Sequence, residues 1–265
     1  MAGSRSGDVV RAERINFGAM ADAVHTVGDQ FTDLLRGLDD DDASRPVPGL
    51  TWTVGDTAAH MLTIVRRATG DRRRADSLAG LADLNEQCLG EIETRHPHEL
   101  ANALTDENST LTALLGALNT DTATSMTVKL HAGVRTDVPS GLSYVLFDFL
   151  AHGHDIAIAT HRAWPIDPAH AALDLHACLP VFEPWVQHSV RTGPAQRTAV
   201  TFPGDADAIV IEVGAGTYHA QNHRRTDAAE DVSEVDPTEA LLGLARRTTA
   251  SSPVVQRLVS WFEPI

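Results

Sequence analysis

Asp148, His152, His154 and Asp155 fall within eight residues of an otherwise apolar run, LFDFLAHGHDIA, from Leu146 to Ala157. A buried carboxylate or imidazole is costly unless a partner compensates it. The partner can be a metal ion or a set of ordinary hydrogen bonds. On a helix, residues four apart share a face. Asp148 and His152 can therefore aim an oxygen and a nitrogen at one spot. Asp155 lies one further turn along that face, and His154 points away from it. Two ligands make a weak site, so a third must come from elsewhere. His60, mid-helix in DTAAHML and flanked on its own face by Thr57 and Ile64, is the candidate. Two imidazoles and a carboxylate with open positions form a catalytic arrangement for a divalent metal. The bland alternative is that each histidine is a hydrogen-bonded core residue.

Helices must carry these side chains, and the hydrophobic pattern supplies them. Three- and four-residue spacings predict a helix from about Val10 to Leu38. The acidic LDDDDASRPVPG reads as a polar loop, since it lacks the spaced ligands of a calcium loop. Thr53 and Asp56 form the signature of a capping box, and the helix they start carries His60. Further helices are expected over Ser77–Arg95 and Leu100–Leu118, with a surface loop holding His96 and His98 between them. A short extended segment follows at SMTVKLHAG. A long helix then runs from PSGL, capped by Ser140 or Ser143, to THR. Residues 1–165 thus read as an antiparallel bundle of four main helices.

The remainder, 166–265, differs. A helix from Pro168 to about Val190 precedes two or three strands rich in β-branched residues, with His219 and His223 on one side of a strand. Asp236 and Pro237 then open a helix, and PVVQRLVSWF closes the chain as helix or strand. The fold class is α+β in two parts, a helical bundle followed by a small α+β domain.

Composition narrows the function. The 265 residues carry a formal net charge of −15, which disfavours nucleic acid as a partner. Lys129 is the lone lysine among 21 basic residues. Arg66, Arg67, Arg72, Arg73 and Arg74 cluster; the bland reading is a solvated helix end and the sharper one a landing site for an acidic small molecule. Cys88 and Cys178 belong to no CxxC pair, which argues against a disulfide framework or a cysteine-built zinc site. The N-terminal stretch has no apolar core of signal-peptide length. No stretch approaches the roughly 18 apolar residues of a spanning helix. A cytoplasmic protein without a membrane partner is expected, as a monomer or small homo-oligomer.

WTVGDTAAHM and, some ninety residues later, DFLAHGHDIA together resemble the mycothiol-dependent maleylpyruvate isomerase family. These are DinB-like helical bundles found mainly in actinobacteria. Trp52, Thr53, Val54, Asp56 and His60 match its first motif; His152 and Asp155 match its second. The resemblance implies metal ligation by His60, Asp148 and His152, with Asp148 standing where the family commonly has glutamate. It implies zinc or another divalent metal, and mycothiol or a similar thiol as co-substrate. An anion-holding arginine is implied near the C-terminus, for which LARR supplies Arg246, with Arg247 the second candidate. The implied activity is thiol-dependent isomerisation or transfer on a small electrophile, because metal coordination deprotonates a thiol. The competing reading is a non-catalytic bundle that binds a small molecule or a protein. A third is a metal-dependent hydrolase.

Overall fold

Helix α1 (Phe17–Arg36) starts where Asn16 caps the amide of Ala19. The computed structural model describes residues 9–12, 14–226 and 232–263, so most of the N-terminal stretch read for a leader lies outside the described residues. Part of the acidic loop is in fact one turn of helix, α2 (Asp40–Ala43), capped by Asp39. Three acidic residues in its first turn suit the positive helix end. Helix α3 (Val54–Thr69) begins at Thr53 with the anticipated capping box. Helices α4 (Ala79–Gly90) and α5 (Pro97–Gly116) follow, and His96 and Pro97 open α5 rather than lying in a free loop. After the short α6 (Thr120–Ser125), the extended segment proves to be a small hairpin of β1 (Val128–Lys129) and β2 (Arg135–Thr136). Helix α7 (Val138–Thr160) then runs for 23 residues. Its cap is Asp137, which accepts from the Ser140 amide; Ser140 and Ser143 are buried inside the helix.

The bundle is built from α1, α3, α5 and α7: α1 and α3 each pack on both α5 and α7. Helix α7 is apolar nearly all round, the pattern of a helix enclosed by protein. It touches α1 and α3 on one side and the C-terminal elements on the other. Most of α7 is therefore enclosed, which is why the buried His152 and Asp155 need partners.

The helix expected from Pro168 to Val190 is shorter. Helix α8 (Pro168–Cys178) ends before Pro180 and gives way to two single 3-10 turns and then α9 (His188–Thr192). Pro180 and Pro184 lack the amide hydrogen a continuous helix needs. Strands β3 (Gln196–Thr201), β4 (Asp207–Gly214), β5 (Thr217–Arg224) and β6 (Val232–Glu234) form one sheet in the order β5-β4-β3-β6. β3 pairs antiparallel with β4 and parallel with β6. His176 on α8 and Asn222 on β5 exchange hydrogen bonds at 2.8 and 2.9 Å, tying the sheet to α8. Helices α10 (Pro237–Leu244) and α11 (Pro253–Ser260) close the chain, with Asp236 capping α10 as read from the sequence. Because α8 and α10 both pack on α7, buried apolar residues from Ala12 to Phe262 make one connected core.

Candidate active site

Thr53 fixes the start of α3 and so the position of His60 two turns on. The Thr53 hydroxyl accepts from the Asp56 amide at 3.1 Å, and the Asp56 carboxylate accepts from the Thr53 amide at 3.1 Å. Arg95 donates to Asp56 at 2.6 Å. Burial opposes ionisation of Asp56, but these hydrogen bonds outweigh it and hold its pKa below the usual value. Trp52, just before the cap, is anchored by a 2.9 Å bond from its indole nitrogen to Glu86 on α4.

His60 is only 4% exposed. Burial first, then the nearby His152 and Arg67, push its pKa well below 6.5, so the ring stays neutral. Its Nδ1 has no hydrogen-bond partner among the described residues. The His152 ring meets it edge-on, with centroids 5.2 Å apart and planes at 87°. The Trp52 ring lies 4.7 Å from His60 and 6.4 Å from His152, forming a wall behind both.

His152 is held by a chain of charge. Its Nδ1 lies 2.9 Å from Asp155 Oδ2. Arg247 donates to both oxygens of that carboxylate, from Nε at 2.6 Å and from Nη2 at 3.0 Å. Asp155 is 3% exposed, and burial raises its pKa, yet His152 and Arg247 together bring it below the ordinary value. An ionised Asp155 requires the proton on His152 Nδ1, which leaves Nε2 with the lone pair in the neutral ring. A carboxylate orienting a histidine in this way is the usual outer support of a metal ligand.

Arg247 reaches Asp155 because the chain reverses at the end of α10. Arg246 adopts a left-handed backbone (φ 58°), and the Arg247 amide bonds back to the Leu242 carbonyl. Arg246 lines the cavity in front of the histidines, but its Nη2 donates to the carbonyls of Val259 and Phe262 at 3.0 and 2.8 Å. Of the two arginines in LARR, it is Arg247 that contacts the histidine system. His154, expected to point away, also lines the cavity, without a hydrogen bond among the described residues.

Asp148 borders the same cavity one turn before His152 and makes no hydrogen bond among the described residues. Burial raises its pKa against the pull of His152, Arg67 and Arg247. Among the described residues, no three His, Cys, Asp or Glu side chains stand close enough together to grip a metal ion. The donor types nevertheless suit one: two imidazoles and a carboxylate border one space, and His60 keeps a buried nitrogen without a partner. The cavity has a volume of about 860 Å³ and lies between the bundle and the turn after α10, within the range for small-molecule sites.

Residues 24–157, about half of the chain, match the family profile of the mycothiol maleylpyruvate isomerase N-terminal domain. The chain belongs to this family. The matched stretch contains His60, Asp148, His152 and Asp155. Two crystal structures resemble the whole molecule, those of a mycothiol-dependent maleylpyruvate isomerase and of its histidine-to-alanine mutant. Each is 11% identical in sequence, covering 91% of this chain and 93% of the other, with TM-scores of 0.50 and 0.54 respectively. At that identity the likeness establishes the shared fold, a helical bundle with a small sheet-bearing C-terminal part. No curated protein matches the chain.

Asp155 and Arg247 are both named by the family motifs, but their pairing is not: the spacing of Asp155 fits a ligand stripe equally well, and Arg247 lies 92 residues away, beyond any local pattern. Arg67 was submerged in the arginine cluster. Its signal was its place seven residues after His60, on the same face of α3.

Proposed function

We propose that this member of the mycothiol maleylpyruvate isomerase family is a thiol-dependent isomerase or transferase acting on a small electrophile in the 860 Å³ cavity. The observation that carries the reading is the His60–His152 pair, with His152 locked by Asp155 and Arg247. The family name supports mycothiol, or a thiol like it, as co-substrate. His60, Asp148 and His152 would hold a divalent metal such as zinc, which when bound lowers the pKa of a coordinated thiol.

The chain's own residues prepare the site. His152 and Arg247 keep Asp155 ionised, and Asp155 fixes the orientation of the His152 ring through its Nδ1. Burial keeps His60 neutral, as a ligand or hydrogen-bond acceptor must be. Trp52 packs against both rings. The Arg247 charge is engaged with Asp155, and Nη2 of Arg246 with backbone carbonyls, so an anionic substrate needs another cation. We further propose that residues 1–165 and 166–265 act as two parts, the second supplying Arg247 to a site carried by the first.

Elemental mass spectrometry on protein purified without chelator or metal-affinity resin tests the ligand set. About one divalent metal per chain, lost in His60→Ala and in His152→Ala, is the expected result. Protein that is metal-free and also refuses added zinc would overturn the metal assignment.

A further inference from the structure

Arg67 is buried in α3, 7% exposed, without a counter-ion among the described residues. Its Nη2 donates to Asn85 at 2.9 Å, while Nε and Nη1 are buried and have no hydrogen-bond partner among the described residues. Among the described residues no carboxylate lies within ion-pair distance of it. Asp148 and Asp71 act on Arg67 only through space. Leaving a guanidinium buried and uncompensated is strongly unfavourable, so a group from outside the chain is the natural complement.

The position of Arg67 says what that group is attached to. Arg67 borders the large cavity and also a second one of about 310 Å³ between α3, α5 and the start of α7. Asp148 and His131 border both cavities as well. The second cavity is walled chiefly by Leu111, Leu114, Leu115, Met126, Leu142 and Val145. Leu114 and Met126 are 47% and 43% exposed, so its rim is apolar too. Its cations are Arg67, Arg74 and Lys129, against the single carboxylate of Asp148 among the described lining residues. That local balance is positive in a chain of net charge −15. Arg74 is engaged with the carbonyls of Arg67, Asp71, Arg73 and Lys129. The His131 ring accepts from the Ala75 amide through Nδ1 at 2.9 Å, which leaves its Nε2–H as a neutral donor in the shared wall. Of the sequence cluster, then, Arg66 and Arg73 are the partly exposed, ion-paired residues of a solvated helix end; Arg67 is not.

We infer that Arg67 and the second cavity form a binding pocket for an amphiphilic monocarboxylate, its head on the Arg67 guanidinium and its apolar body among the leucines. One carboxylate matches one uncompensated guanidinium, and a second anionic group in the leucine wall would be costly to desolvate. Binding follows from this geometry alone; that the ligand is the electrophile attacked by the thiol rests on the function proposed above. The head would then lie on the wall shared with the histidine cavity, beside Asp148.

Isothermal titration of the full chain with straight-chain carboxylates from butanoate to decanoate, and with the matching primary alcohols, tests the pocket. Affinity should rise along the acid series, approaching about fourfold per added methylene where burial is complete. The alcohols should bind at least about tenfold more weakly, in line with the strength of charge-assisted hydrogen bonds. Arg67→Gln should erase the advantage of acid over alcohol. Leu114→Asp, on the exposed rim, should weaken long acids more than short ones. The pocket is overturned if affinity is independent of chain length, or if folded Arg67→Gln binds acids as the parent does. Should Arg67→Gln fail to fold, an unchanged acid series in Leu114→Asp overturns it instead. Acid binding without thiol-dependent turnover keeps the pocket and removes the proposed function; turnover without acid binding does the reverse.

Discussion

A carboxylate three residues after a histidine can serve as a ligand or as a support, and the surrounding charges decide which. Asp155 is drawn to His152 and clamped by Arg247. Asp155→Ala would leave the Arg247 guanidinium uncompensated in the interior. A loss of about 3–5 kcal/mol in urea unfolding is expected. The double change Asp155→Leu with Arg247→Met should cost less than Asp155→Ala alone, because neither charge remains. Equal or greater loss in the double variant would contradict the clamp. His131 makes a pH-dependent contribution. Burial, then Arg67 and Arg74, depress its pKa to about 4, against an ordinary value of 6.5. The unfolded chain therefore binds a proton first as pH falls. His131 contributes stability fully above about pH 6.5, and that contribution drains away between about 6.5 and 4. His131→Gln should flatten the thermal-unfolding profile across that window; an unchanged slope would count against the assignment. Asp148, His152 and Asp155 were legible as a polar stripe because helical period is local. Arg247 was named only as the second arginine of LARR, and its contact with Asp155 was not legible, because that contact depends on the left-handed turn at Arg246 and on packing between distant segments.

Elements were readable where their ends carry side-chain signals. Thr53 with Asp56, and Asp236 with Pro237, start α3 and α10 as their caps imply. Asp137 took the cap of α7 in place of Ser140 or Ser143, because Val138 and Pro139 already occupy the first turn. The helix expected after Pro168 broke at Pro180, where the apolar pattern continues but the amide hydrogen does not. Gly153 shows what α7 must tolerate. A Cβ there would come within 2.2 Å of the Trp164 ring, whose indole nitrogen donates to the Leu150 carbonyl at 3.1 Å. Gly153→Ala should displace Trp164 and cost about 1–3 kcal/mol, seen as a lower urea midpoint with altered tryptophan fluorescence. A variant with parental stability would show that Trp164 moves freely, against the tight packing seen here.

On the scale of the whole molecule, the helical bundle and the C-terminal sheet-bearing part meet along α7, which borders the candidate site. The bundle supplies Trp52, His60, Asp148, His152 and Asp155; the C-terminal part supplies Arg247 across the interface. Among the described residues no helix is long and apolar enough to cross a membrane, and both cysteines are buried and unpaired. The net negative charge conceals a positive cavity wall around Arg67, which no average over composition can show. The proposed function requires that a thiol bound at the His60–His152 pair lose its proton, which a divalent metal held there would favour. Ultraviolet difference absorbance during titration of zinc-supplied protein with mycothiol at neutral pH measures that event without requiring the electrophile. A saturating thiolate signal of about one per chain, lost in His152→Ala, is the expected result. Mycothiol that binds without forming thiolate, or a signal that survives in His152→Ala, would contradict it.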